Sequence, residues 1–133
     1  ISKQRVKQRI VVPRIRRIDT VRNITDMSLD VMLVDQKSEV IYEANITHNL
    51  GEMAKEALIY DALWRPENIR AIHAKHIIRL LEEGLHDLEN EPSYFEQFNP
   101  SNGWGSYEVL VSFVEKYLNA CKENPTAEIQ ISR

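Results

Sequence analysis

From Ser28 onward the apolar positions fall into regular patterns. Ser28 to Val34 reads Ser-Leu-Asp-Val-Met-Leu-Val, which places Leu29, Val31 and Leu33 on one face of a strand. Asp35-Gln-Lys-Ser38 is turn chemistry. Glu39 to Ile46 alternates again, with Val40, Tyr42, Ala44 and Ile46 on one side. Two strands this close predict an antiparallel hairpin. Thr47-His48-Asn49 ends the second strand, and Asn49 followed by Glu52 predicts an Asn-capped helix running to about Leu63. Arg65-Pro66 breaks that helix, and Pro66 suits the first position of another.

The second helix is predicted from Glu67 towards Leu88, on a stripe of Ile69, Ile77, Leu80, Leu81 and Leu88. Gly84 within it marks a close approach by a neighbour or a bend. Asn99-Pro-Ser-Asn-Gly-Trp-Gly-Ser106 reads as an ordered loop. Tyr107 to Cys121 is the clearest helix, with Val109, Leu110, Phe113, Val114, Tyr117, Leu118 and Cys121 on two adjacent rows and Ser106 as its N-cap. After Asn124-Pro125, Ala127, Ile129 and Ile131 alternate with Glu128 and Gln130, a third strand. The expected fold is α+β: a β-hairpin, three helices and a C-terminal strand completing a small antiparallel or mixed sheet, in the order ββαααβ.

The bulk numbers agree with one folded domain. The chain has 133 residues, 43% hydrophobic and 28% charged. No apolar run approaches the ~20 residues of a membrane helix. A lone cysteine, Cys121, excludes an internal disulfide scaffold and points to a reducing, cytoplasmic setting. It lies on the apolar side of its helix, the usual place for a buried free cysteine.

Charge adds a boundary. Residues 1–26 hold eight bases against Asp19 and Asp26, a net +6, and the remaining residues carry −9. The domain is therefore expected over 27–133, with 1–26 as a flexible basic extension. Three roles are open to that extension: weak, non-specific phosphate contact with nucleic acid, docking against the acidic body, or a leader without function.

Several strings resemble an uncharacterised family of small phage and prophage proteins. They are Met27-Ser-Leu-Asp-Val, Asn45-Ile-Thr-His-Asn-Leu-Gly-Glu-Met-Ala54, Ala62-Leu-Trp-Arg-Pro66, Phe98-Asn-Pro-Ser-Asn-Gly-Trp-Gly-Ser-Tyr-Glu108 and Tyr117-Leu-Asn-Ala-Cys-Lys122. The resemblance implies that Met27 is the usual start and carries no established activity. This chain departs from it at Leu58, where a glycine is expected, and at His76, where an acid is expected.

The candidate site residues are His48, Asn49, Trp104, Tyr107 and Glu108. His48 stands where a strand yields to a helix, whose first N–H groups favour anions. It is read either as a general base or anion contact, or as part of the cap. Trp104 is read as a lid or partner anchor, or as a core side chain, and the usual burial of large aromatics favours the core. His73 and His76, three apart on the predicted helix, make a weak metal pair, so neither a metal nor a cofactor is expected. No catalytic set is legible. The leading expectation is a non-enzymatic module or inhibitor that binds a protein partner. The alternative is a small hydrolase or nucleotide-binding enzyme with its site at His48 and the Gly103–Glu108 loop.

Overall fold

The computed structural model describes residues 28–133. The readings made for residues 1–26 lie outside this range. Strand β1 (Ser28–Val34) buries Leu29, Val31 and Leu33 on one side, as its alternation requires. It pairs antiparallel with β2 (Val40–Thr47), in a register that sets Ser28 opposite Thr47 and Leu33 opposite Tyr42. Between them the Asp35 carboxylate accepts the N–H groups of Lys37 and Glu39, each at 2.9 Å, closing the turn. Strand β3 (Glu128–Ser132) pairs antiparallel with the other side of β1, Val31 facing Ile131. The sheet order is β2-β1-β3, so the antiparallel form of the expected sheet is the one adopted.

The predicted first helix is divided. Thr47, not Asn49, caps the entry: its hydroxyl accepts the N–H of Asn49 at 3.2 Å. A 3₁₀ turn (His48–Leu50) leads into α1 (Gly51–Glu56), and α2 (Tyr60–Trp64) follows after a break at Ala57–Ile59. The break is a Schellman ending. Leu58 donates to Lys55 O and Ile59 to Ala54 O, with Leu58 at φ 63° in the left-handed position that usually holds glycine.

The predicted helix from Glu67 is corrected more deeply. Pro66–Ile69 is a 3₁₀ turn, Arg70 is left-handed at φ 58°, and the chain then extends through Ile72 and His73. Ile129 N donates to Ile72 O at 2.9 Å, and Ala74 N donates to Ala127 O at 2.8 Å. This segment thus borders the β3 side of the sheet, and those cross-chain bonds replace the helical ones. The regular helix, α3 (Ile78–Asn90), begins only after a second 3₁₀ turn at Ala74–His76. A short α4 (Pro92–Glu96) and the long α5 (Tyr107–Glu123) complete the helices.

The core lies between the inner face of the sheet and the helices, centred on Leu29, Val31, Leu33, Leu50, Leu81, Leu110 and Tyr117. Gly84 of α3 faces Ile59. A Cβ at Gly84 would run into the Ile59 side chain and lie 3.3 Å from Ala57 O, so the close approach read from the sequence is present. Cys121 is fully buried, as its place on the apolar row implied. No described helix is long and apolar enough to cross a membrane.

Candidate functional site

The strand-to-helix junction and the glycine loop meet in space. Gly105, at φ 101°, rests on the junction: a Cβ there would lie 2.8 Å from Thr47 Cγ2 and 3.0 Å from Leu50 Cγ. Only glycine allows both that backbone angle and that contact. The loop is held at both ends by its own polar groups. Asn102 Oδ1 accepts Trp104 N at 2.9 Å, and Asn99 Oδ1 accepts Tyr107 N at 2.7 Å. Ser106 caps α5 by accepting Val109 N at 3.4 Å, which places Glu108 in the favourable first turn.

Trp104 stands at the crest of this loop with 65% of its surface exposed. The expectation that it folds back onto the core is therefore corrected. Asn102 and Gly103 form a turn that lifts the indole outward, and Gly103, at φ 80°, has open space around its α-carbon. Val109, counted on the apolar row of α5, is 45% exposed nearby in sequence, in the first turn of that helix.

Tyr107 is half-buried and its hydroxyl is committed: it donates to Leu88 O at 2.6 Å. That bond brings the end of α3, with Glu89, to the base of the loop, and the Asn99 contact brings the segment after Glu96 there as well. Burial raises the Tyr107 phenol above 10.0, and the carboxylates of Glu96, Glu89 and Glu108 raise it further. The loop thus presents an indole on a rigid base, and the exposed carboxylates of Glu89, Glu96 and Glu108 lie about the Tyr107 phenol.

His48 is half-buried, and its ring addresses another neighbour. Its Nδ1 accepts the indole N–H of Trp64 at 2.8 Å. Trp64 in turn stacks on Tyr60 with centroids 5.2 Å apart, and Lys55 Nζ sits 4.8 Å above the Tyr60 ring. Asn49 is exposed in the 3₁₀ turn. The loop and the junction therefore adjoin, while the His48 Nδ1 is engaged on the Trp64 side. Sequence reasoning did not pair His48 with Trp64, because a partnership across 16 residues leaves no local signal.

His73 and His76 do not share a helix face. His76 Nδ1 accepts the N–H groups of Ile72 and His73 at 3.1 and 3.0 Å, so it closes the extended-to-3₁₀ turn. Its pKa is lowered, first by burial and then by His73 and Lys75. Among the described residues no three His, Cys, Asp or Glu side chains converge as metal ligands. Compared with protein-family models, curated proteins and solved structures, the chain finds no match.

Proposed function

We propose that the protein is a cytoplasmic, non-enzymatic accessory module of phage or prophage type, which binds a protein partner through the Trp104 loop. The observation that carries this reading is the exposure of Trp104 on a loop pinned by Asn99, Asn102 and Ser106. A large apolar side chain held out in water offers little to the isolated fold. Seated in a partner's pocket, a rigid tryptophan is among the strongest contact residues known, because few rotamers are lost on binding. The phage assignment rests on the strings around Asn45–Ala54 and Phe98–Glu108. The acidic body, −9 over residues 27–133, suits a partner with a basic surface, as an inhibitor of a nucleic-acid enzyme would need.

The test is affinity capture from a lysate of the source organism with the full chain and with Trp104→Ala. The expected result is a protein retained by the native chain and reduced by about 10-fold or more with the variant, at an unchanged urea midpoint. Identical captured sets, or none with the native chain, overturn the proposal.

One observation favours the enzymatic alternative, a small hydrolase or nucleotide-binding enzyme: the packing of Gly105 on Thr47 sets His48 and the Trp104 loop side by side. That reading requires His48 to serve chemistry as well as Trp64. Its test is His48→Asn, which retains an acceptor for the Trp64 indole. Hydrolysis of a nucleotide or ester panel by the native chain, lost in this variant, would support it.

A further inference from the structure

We infer that the outer edge of β2 is a docking site for an extended segment of a partner protein, one in which basic and apolar residues alternate, added to the sheet as a further strand. This is a second surface, and the inference does not rest on the Trp104 loop.

The two edges of the sheet differ. Beyond β3 the chain itself supplies partners: Ile129 N donates to Ile72 O, and Ala74 N donates to Ala127 O. Those bonds also fix which way each residue of the sheet faces. In an antiparallel strand the N–H and C=O of one residue point to the same side, and the side alternates along the chain. Ile129 faces away from β1, so its neighbour Leu33 faces β2. Leu33 with Tyr42, Val31 with Ala44 and Leu29 with Ile46 are therefore the bonded pairs of the hairpin. Glu43 and Asn45 must then turn their N–H and C=O groups outward, and among the described residues no backbone group meets them.

This edge is regular and unguarded. The register shifts only at Leu33–Val34, which leaves Tyr42–Thr47 evenly paired. Asn45 Nδ2 donates to Ser28 Oγ at 2.9 Å and to Asp30 Oδ1 at 2.7 Å, holding the strand flat against β1. The eight residues of β2 include neither Lys nor Pro, the residues that blunt exposed edges. Charge and apolar surface select the occupant. Glu39 and Glu43 are exposed and β2 holds no base, so a second copy would bring two acidic edges together. Val40 and Ile41 beside them are 50% and 40% exposed. A strand with Lys or Arg opposite Glu43 and a β-branched residue opposite Ile41 satisfies both features. Main-chain bonds to Glu43 and Asn45 supply affinity, and the alternating side chains supply choice.

The experiment follows amide hydrogen exchange of the full chain by NMR. The probe is an amidated peptide of alternating Val and Lys, long enough to span Val40–Thr47. A Gly-Lys peptide of equal length and charge, a poor strand former, is the control. The Val-Lys peptide is expected to slow exchange at the Glu43 and Asn45 amides by about 10-fold or more, and the Gly-Lys peptide to have little effect. Glu43→Lys should lose the response to Val-Lys and gain one to a Val-Glu peptide. Glu43→Pro removes an outward N–H and no ladder bond, so it should lose the response of Asn45 to either peptide at an unchanged urea midpoint. Equal slowing by the Val-Lys and Gly-Lys peptides overturns the inference, since charge alone would then suffice. Slowing that misses Glu43 and Asn45 overturns it as well. So does protection of these two amides in the free chain: protection that fades on dilution assigns the edge to a second copy, and protection that persists assigns it to other residues of the same chain.

Discussion

His48 and Trp64, 16 residues apart, form a partly buried polar pair in which the indole N–H donates to Nδ1 at 2.8 Å. Trp64 is 2% exposed, so water cannot substitute for the imidazole. The bond ties the end of β2 to α2 and keeps the largest aromatic of the core in place.

Replacing His48 with Ala leaves that indole unpaired, a cost of about 1–3 kcal/mol. His48→Asn offers an oxygen close to the same place and should recover most of the loss. Urea unfolding followed by Trp fluorescence measures both. An Ala variant within ~0.5 kcal/mol of the native chain would show that the bond contributes little.

Leu58 is 79% exposed with φ at 63°, in a position of the Schellman ending that glycine normally fills. An L-residue there costs about 1–2 kcal/mol, part of which the greater chain freedom of glycine offsets in the unfolded state. Leu58→Gly is expected to stabilise by roughly 0.5–1 kcal/mol, seen as a higher thermal midpoint. Destabilisation would mean that the Leu58 side chain makes a contact that outweighs its backbone strain.

Gly84 gives the opposite sign. A methyl group there meets Ile59 and the carbonyl of Ala57, both held by the same ending. Gly84→Ala is expected to cost about 1–3 kcal/mol by overpacking. The collision is with Ile59 Cγ2, which Ile59→Ala removes, so the double variant Gly84→Ala, Ile59→Ala should cost less than the sum of the two single variants, which a double-mutant cycle in urea measures.

Alkaline pH should weaken the fold in a definite window. Burial pushes the Cys121 thiol from its ordinary 9.0 up to about 12. Burial, then Cys121 and Tyr42, holds the Tyr117 phenol well above 10.0. Between about pH 9 and 12 the unfolded chain releases these protons while the folded one keeps them, so stability is complete below about pH 9 and falls as pH rises. The urea midpoint is expected to be level from about pH 7 to 8.5, to drop above about pH 9, and to drop less steeply in Tyr117→Phe. The Tyr117 hydroxyl has no hydrogen-bond partner among the described residues, so this variant should be no less stable than the native chain at neutral pH. A midpoint that holds or climbs between about pH 9 and 10.5 contradicts this account.

Much of the fold was legible in the sequence because local pattern and final environment agree. Leu29, Val31 and Leu33 alternate and are buried on one side of β1. The hairpin, the Ser106 cap, α5 and the third strand all follow from signals within a few residues of one another. The candidate site was half legible. Its residues were named, and the loop and junction do adjoin, but the reading favoured burial for Trp104, and the engagement of His48 with Trp64 was not foreseen.

The sequence by itself determined the α+β class, the pairing of the first two strands and the acidic character of residues 27–133, since each depends on periodicity, short spacing or counting charge. Tertiary structure alone decided three things. The spacing of Ile69 and Ile77 suits a helix, yet the hydrogen bonds of Ile72 and Ala74 to the chain around β3 draw that stretch out as an extended border. The indole of Trp104 stands out in solvent, on a loop whose Gly105 packs against Thr47. The ring of His48 faces Trp64 because the break at Leu58 turns α2 back towards the strand end. In each case bonds or contacts between residues far apart in sequence outweighed a local preference worth a few tenths of a kcal/mol per residue.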